Sequence, residues 1–183
     1  MNGTAADDDA GGRRVNLVAG DYRVSADPSV VMTTLVGSCV AACLYDAQAH
    51  IGGMNHFLLP GTMESEPFAV HLMELLVNGL LRGGARRDRL RAKLFGGARV
   101  MSAFADNIGA RNAGFARSFL DHEGVRVVSA SLGGSSGRRV QFWPATGRAR
   151  LALLAPGLVP PAAPLAPPPD AGAVEFFQPA PQR

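Results

Sequence analysis

Hydrophobic and polar positions alternate over short runs along most of the chain, and two stretches switch to a helical period. Leu17 and Ala19 alternate with polar neighbours, and Gly20-Asp21 marks a turn into Tyr22–Val24. Val30 to Leu35 is an uninterrupted, largely β-branched run, which suits a buried strand. Val40 to Tyr45 is another, Asp46 to Ala49 turns the chain, and His50 to Leu59 returns as a strand. Ser65-Glu66-Pro67 reads as a helix start, with a capping serine, an early acid and a proline in the first turn. Leu72, Leu75, Leu76 and Leu80 then follow the helical period, and Gly83-Gly84 ends it. Leu90, Ala92 and Leu94 alternate as a strand closed by Gly96-Gly97, and a second helix carries Phe115, Phe119 and Leu120 and stops at Gly124. Val125 to Ser129 is a further strand, Gly133 to Gly137 a flexible loop, and Val140/Phe142 with Leu151/Leu153 predict a hairpin around Gly147. Strands and helices interleave without strict βαβ alternation, which predicts an α/β fold of the mixed-sheet sandwich kind rather than a doubly wound parallel sheet.

The two ends have a different character. Residues 1–14 are polar and rich in Gly and Asp, and from residue 155 to Arg183 the chain is dominated by Pro and Ala. Neither composition builds a core, so both ends are expected to be disordered around a single domain over residues 15–154. The Val174–Phe177 island in the tail is the one part of it able to dock on a surface. With 183 residues, 47% of them apolar, one ordinary core is expected. The net charge is only +3, and the tightest basic run, Arg86 to Lys93, includes Asp88 and no aromatic residue. It reads as a solvated segment, so nucleic acid is not an expected partner. The N-terminus has no apolar signal region, and no apolar stretch approaches the ~20 residues of a membrane span. Two cysteines make no disulfide framework, and reduced thiols suit the cytosol. These features together suggest a cytoplasmic protein without direct membrane insertion, expected to be a monomer.

The reactive residues crowd into one apolar stretch, TTLVGSCVAACLYDAQAHIGGMNHFLLP, from Thr33 to Pro60. It holds both cysteines, Cys39 and Cys43, and two of the four histidines, His50 and His56. Cysteine is the strongest nucleophile available near neutral pH once a base takes its proton. Cys39 follows Gly37-Ser38 where one β run ends and another begins, and His56 lies across the Asp46–Ala49 turn on the expected neighbouring strand. An antiparallel return would bring the imidazole back beside the thiol, and backbone N–H groups of the Gly37-Ser38-Cys39 turn could face a developing oxyanion. From spacing alone a packed core cysteine remains the simpler reading. A zinc site on Cys39, Cys43, His50 and His56 offers four donors, but the cysteines sit in a strand-like run and the gap between the pairs is short for a finger loop. Cys43 reads as a core thiol, and His50, His71 and His122 as solvent-facing. Asn107 and Asn112 are read as helix-end residues, with a substrate-groove role for their block as the alternative.

Several blocks, in order, resemble one family. LVGSCVAACLYD with IGGMNHFLLP, AKLFGGARVM with NIGARN, and GGSSGRRVQFWPATG are similar to the signature of CheD, the chemoreceptor glutamine deamidases, over nearly the whole body. The resemblance implies an α/β sandwich like that of toxin-type glutamine deamidases. It places the family's nucleophile on Cys39, its histidine on His56 and its third catalytic residue on Thr33, six positions before the cysteine, with Thr34 beside it as the rival. If 30–35 is a strand the two threonines face opposite sides, so only one can reach His56. Gly37, Ser38 and Asn55 are the accompanying oxyanion or substrate-binding candidates.

Such an enzyme would be a protein-glutamine glutaminase that converts receptor glutamines to glutamates through a thioester, with no metal or organic cofactor. The implied partners are methyl-accepting chemotaxis receptors and a CheC-type phosphatase. The alternatives are a glutamyl methyl esterase on the same receptors, or a non-catalytic regulator bound to the phosphatase. The segment 66–72 and Ser131-Leu132 depart from the family pattern, and the Pro/Ala tail lies outside it.

Overall fold

The structure is a computed structural model that describes residues 12–59, 66–99 and 108–155. Among these residues the chain forms nine strands and two α-helices: β1 (Arg13–Asn16), β2 (Tyr22–Ser25), β3 (Val30–Val36), β4 (Val40–Asp46), β5 (Ile51–Phe57), α1 (Glu66–Arg82), β6 (Arg91–Gly96), α2 (Ile108–His122), β7 (Arg126–Leu132), β8 (Arg138–Trp143) and β9 (Arg148–Leu153). A four-stranded sheet runs β1-β3-β8-β9, and a five-stranded sheet runs β2-β5-β4-β6-β7. Both sheets are mixed, since β1 pairs parallel with β3 and β6 parallel with β7 while the other pairs are antiparallel. The expected mixed-sheet α/β sandwich is what forms.

The five-stranded sheet is the middle layer, and alternation along its strands makes it so. In β4, Val40, Ala42 and Leu44 face the helices, where they pack with Leu72, Leu76 and Leu80 of α1 and Ala116 and Leu120 of α2. Ala41 and Cys43 face the other way and meet Val30, Met32 and Val36 of β3 and Val140 and Phe142 of β8. Two cores thus share one sheet, and every residue of β5 is buried. Apolar burial of this kind contributes ~25 cal/mol per Å2, so a central strand covered on both faces is where substitutions cost most.

Three expectations need correction. Leu17 and Ala19 are not in a strand: the first strand is Arg13–Asn16, two residues earlier than the expected start of the body, and Leu17 is a buried loop residue crossing from one sheet to the other. Apolar alternation there reflects a loop laid between two sheets. β5 begins at Ile51 because His50 takes a positive φ of 50° in the turn. β7 runs on to Leu132, past Ser129, because β6 continues to offer partners as far as Gly96. The helix cap Ser65, Asn107, most of the acidic N-terminal segment and the Pro/Ala tail with its Val174–Phe177 island lie outside the described residues. No helix among the described residues is long and apolar enough to cross a membrane.

Candidate active site

β3 ends in the four-stranded sheet and β4 begins in the five-stranded one, so Gly37-Ser38-Cys39 is the bend by which the chain changes layer. All three carbonyls of this bend are held from one side. Ala98 N–H donates to Gly37 O, Asn112 Nδ2 to Ser38 O and Gly97 N–H to Cys39 O, each at 2.8 Å. Gly96, at φ 118°, is where the two backbones approach: a Cβ there would stand 2.1 Å from Cys39 O. In a trans peptide the carbonyl and the following N–H point in opposite directions. The Ser38 N–H is therefore turned away from the 97–98 segment and the Cys39 N–H away from Asn112, and that of Cys39 bears on its own sulfur.

His56 enters from the neighbouring strand. β4 and β5 pair antiparallel with Ala41 opposite His56, and Cys39 lies two places before Ala41 on the same inter-sheet face. The loop between β1 and β2 wraps the histidine: His56 O accepts from Gly20 N–H at 2.8 Å, and His56 N–H donates to Asp21 O at 3.0 Å. The ring meets the third partner across the sandwich, where Thr34 Oγ1 lies 2.8 Å from His56 Nδ1.

The tautomer follows from counting protons. Thr34 Oγ1 also donates to Leu17 O at 2.8 Å, a carbonyl that can only accept. A hydroxyl has one proton, so Thr34 Oγ1 is left to accept from Nδ1–H. The lone pair then belongs to Nε2, which is buried and has no hydrogen-bond partner among the described residues, the Cys39 thiol included. A buried polar nitrogen without a partner is uncommon and calls for a reason.

The electrostatics agree. Burial lowers the His56 pKa to about 4, against the smaller raising effects of the Leu17 carbonyl and Asp21. Burial pushes the Cys39 thiol up to about 11, with its own N–H pulling slightly the other way. Burial thus favours the uncharged form of each group, the Cys39 thiol and the neutral His56 imidazole.

Comparison with known proteins shows the family to which the chain belongs. The family described as CheD chemotactic sensory transduction matches residues 59–152. A protein of Agrobacterium fabrum named probable chemoreceptor glutamine deamidase CheD is 56% identical over 147 residues, covering 78% of this chain and 81% of that one. Its namesake in Sinorhizobium medicae is 50% identical over 182 residues, covering 92% and 98%. The chain belongs to the CheD family. Among solved structures, the hypothetical protein YfiH of Bacillus licheniformis superposes with a TM-score of 0.41 at 14% identity over 61% of this chain and 50% of that one, too distant to carry an argument.

Within this CheD-family chain the structure sorts the expected site residues. Gly37, Ser38 and Cys39 form one bend, and His56 lies on the neighbouring strand, with Ala41 opposite it. Thr33 does not join them: its hydroxyl donates to Asn16 Oδ1 at 3.3 Å on the outer face of the four-stranded sheet, and Thr34 takes the place beside the imidazole. The reason is the two-residue period of β3, which puts Met32, Thr34 and Val36 inward and Thr33 and Leu35 outward. Asn55 is also on the wrong side for an oxyanion role. It faces α1, where it accepts from Ala42 N–H at 3.3 Å and donates to Leu72 O at 3.3 Å and Met73 Sδ at 3.1 Å. Cys43 is a fully buried free thiol whose pKa burial raises further, and His50, His71 and His122 are exposed. The Leu17 carbonyl, which fixes the threonine proton, had no signal in the sequence. Asn112 did have one: a buried amide at the inner face of a helix, every third or fourth residue of which is apolar.

Proposed function

We propose that this protein deamidates glutamine side chains of methyl-accepting chemotaxis receptors, releasing ammonia and leaving glutamate. The observation that carries the reading is the unpartnered Nε2 of buried His56, facing the same layer as Cys39 with its tautomer set by Thr34. The names of the relatives supply the substrate class.

In this mechanism Nε2 takes the proton from Cys39 Sγ as the sulfur attacks the amide carbon of the glutamine. The oxygen becomes an oxyanion, for which the N–H groups of Ser38 and Cys39 are the available donors. The imidazolium, steadied at Nδ1 by Thr34, gives its proton to the leaving nitrogen; the carbon–nitrogen bond breaks, ammonia departs and a thioester remains. Water then attacks the thioester with Nε2 again as base; the carbon–sulfur bond breaks, the thiol regains its proton and glutamate is released. A base with its pKa depressed to about 4 is a weak one for a thiol near 11. The substrate must therefore do part of the work, by filling the site and bringing Sγ onto Nε2. Every step uses the chain's own residues.

The receptor's cytoplasmic region is the partner in this reading, and the protein works in the cytoplasm as a monomer that also associates with a CheC-type phosphatase. The test is intact-mass spectrometry of a receptor cytoplasmic domain from the same organism after incubation with the wild type or with Cys39→Ala. Each conversion adds about one dalton, and peptide mapping locates it. Mass gain at defined glutamines that needs Cys39 supports the reading. No gain with a folded enzyme sinks it.

A further inference from the structure

Asn112 stands where the two arms of the site meet. It is the fifth residue of α2, fully buried, and both ends of its amide are used. Nδ2 donates to Ser38 O at 2.8 Å, on the bend that carries Cys39. Oδ1 accepts from Leu59 N–H at 2.7 Å, just past the strand that carries His56. Neither bond lies within its own helix, and the two partners are 21 residues apart in the chain on opposite arms of the hairpin β4–β5.

We propose that Asn112 is a positioning residue: a clip that fixes the separation of the thiol and the imidazole by holding both arms to one rigid helix. Three observations carry this. First, the ladder between β4 and β5 ends at Val40 and Phe57, so beyond it no strand pairing holds Cys39 at its distance from the base arm. Asn112 bridges this opening.

Second, only an amide serves, because the Ser38 side needs a donor and the Leu59 side an acceptor on one short side chain. Third, the helix is itself seated on the segment that holds the bend: a Cβ on Gly109, one turn before Asn112, would stand 2.4 Å from Gly97 O and 2.6 Å from Ala98 O. Gly97 and Ala98 N–H groups hold the Cys39 and Gly37 carbonyls, so helix, segment and bend form one unit. By turning the Ser38 carbonyl toward α2, the same bond also turns the Cys39 N–H the opposite way, away from α2.

The role of the clip rests on the deamidase reading for its effect on turnover, but its effect on the thiol does not. At a pH where its carboxyl is ionised, Asn112→Asp keeps the shape and the acceptor for Leu59 N–H but sets an acceptor against Ser38 O. It is expected to release the bend alone. Displacement of a catalytic group by about 1 Å costs up to about 10²-fold in rate, so kcat for ammonia release should fall by about 10- to 100-fold. KM should move by less than about threefold.

In the same variant, alkylation of Cys39 by iodoacetamide should quicken by about threefold or more as the bend opens to solvent. Alkylation of Cys43, fully buried in β4, should stay slow. Peptide mass spectrometry reads both thiols at once, and general loosening would speed both. The clip is overturned if folded Asn112→Asp keeps wild-type kcat, or if the two cysteines quicken together. Asn112→Ala, which frees both arms, should show the same split more strongly. If the wild type itself releases no ammonia, the deamidase reading fails, and the ratio of Cys39 to Cys43 alkylation still decides the clip.

Discussion

Replacing Thr34 by valine removes one oxygen and nearly nothing else, and two buried groups lose their partner at once. Leu17 O loses the hydroxyl that donates to it, and His56 Nδ1–H loses its acceptor. Each buried polar group left unpaired costs about 1–3 kcal/mol. The Leu17 carbonyl also lies close enough to the ring to raise its pKa, so it recovers part of what is lost. The expected destabilisation is therefore about 2–4 kcal/mol, not the sum of two full penalties. Turnover should suffer more than stability. With only the Leu17 carbonyl left to hold Nδ1–H, the ring plane is less firmly fixed, and general acid–base catalysis is typically worth ~10²–10⁴ in rate, of which at least tenfold should go. Thr33→Val is the matched control, because its single 3.3 Å bond to Asn16 is on an exposed face. Its stability change should stay within about 0.5 kcal/mol, with turnover near wild type. Urea melts give the first quantity and ammonia release from a receptor cytoplasmic domain the second. The reasoning fails if Thr33→Val loses turnover while folded Thr34→Val keeps it.

Acid should loosen the fold through His56. Its pKa is about 4 folded against 6.5 for the free group, so the unfolded chain binds the extra proton between those values. Stability present above pH 6.5 is lost as pH falls toward 4, by about 3 kcal/mol at most; a His56→Gln protein should lack this part of the slope in urea midpoints, and equal slopes would count against it. Alkylation of Cys39 should be slow at pH 7 and climb steadily toward the thiol pKa of about 11. A rate plateau persisting below pH 6 would instead reveal a standing ion pair. Asp46 is buried and accepts from the N–H groups of Gln48, Ala49 and Arg86 and from Arg89 Nε. Burial raises its pKa, but these bonds outweigh that and bring it down to about 2. Asp46→Asn should cost about 3 kcal/mol in a thermal or urea melt while leaving turnover per folded molecule unchanged, since the residue sits at the far end of β4 from Cys39.

What the sequence determined by itself was the local grammar and the reagents. Runs such as Val30–Leu35 and Val40–Tyr45 are strands because β-branched and apolar side chains fill both faces of a covered sheet, and the leucine spacing of α1 admits only a helix. Ordered blocks around Gly37-Ser38-Cys39 and Asn55-His56 were enough to single out the thiol and the imidazole proposed as nucleophile and base. The tertiary structure decided what local pattern cannot carry. Two adjacent threonines are equivalent in a string of letters; which one meets the imidazole depends on the sheet to which β3 belongs and the face it covers. Leu17 and Ala19 alternate like a strand, yet the residues form a crossing loop, because pairing partners come from elsewhere in the chain. Asn112 is 73 residues beyond Cys39, and nothing in its neighbours says that it holds the nucleophile's bend. The physical reason is the same in each case. Propensity and periodicity act over a few residues, whereas the protonation, orientation and spacing of a catalytic pair are set by hydrogen bonds between segments far apart in sequence.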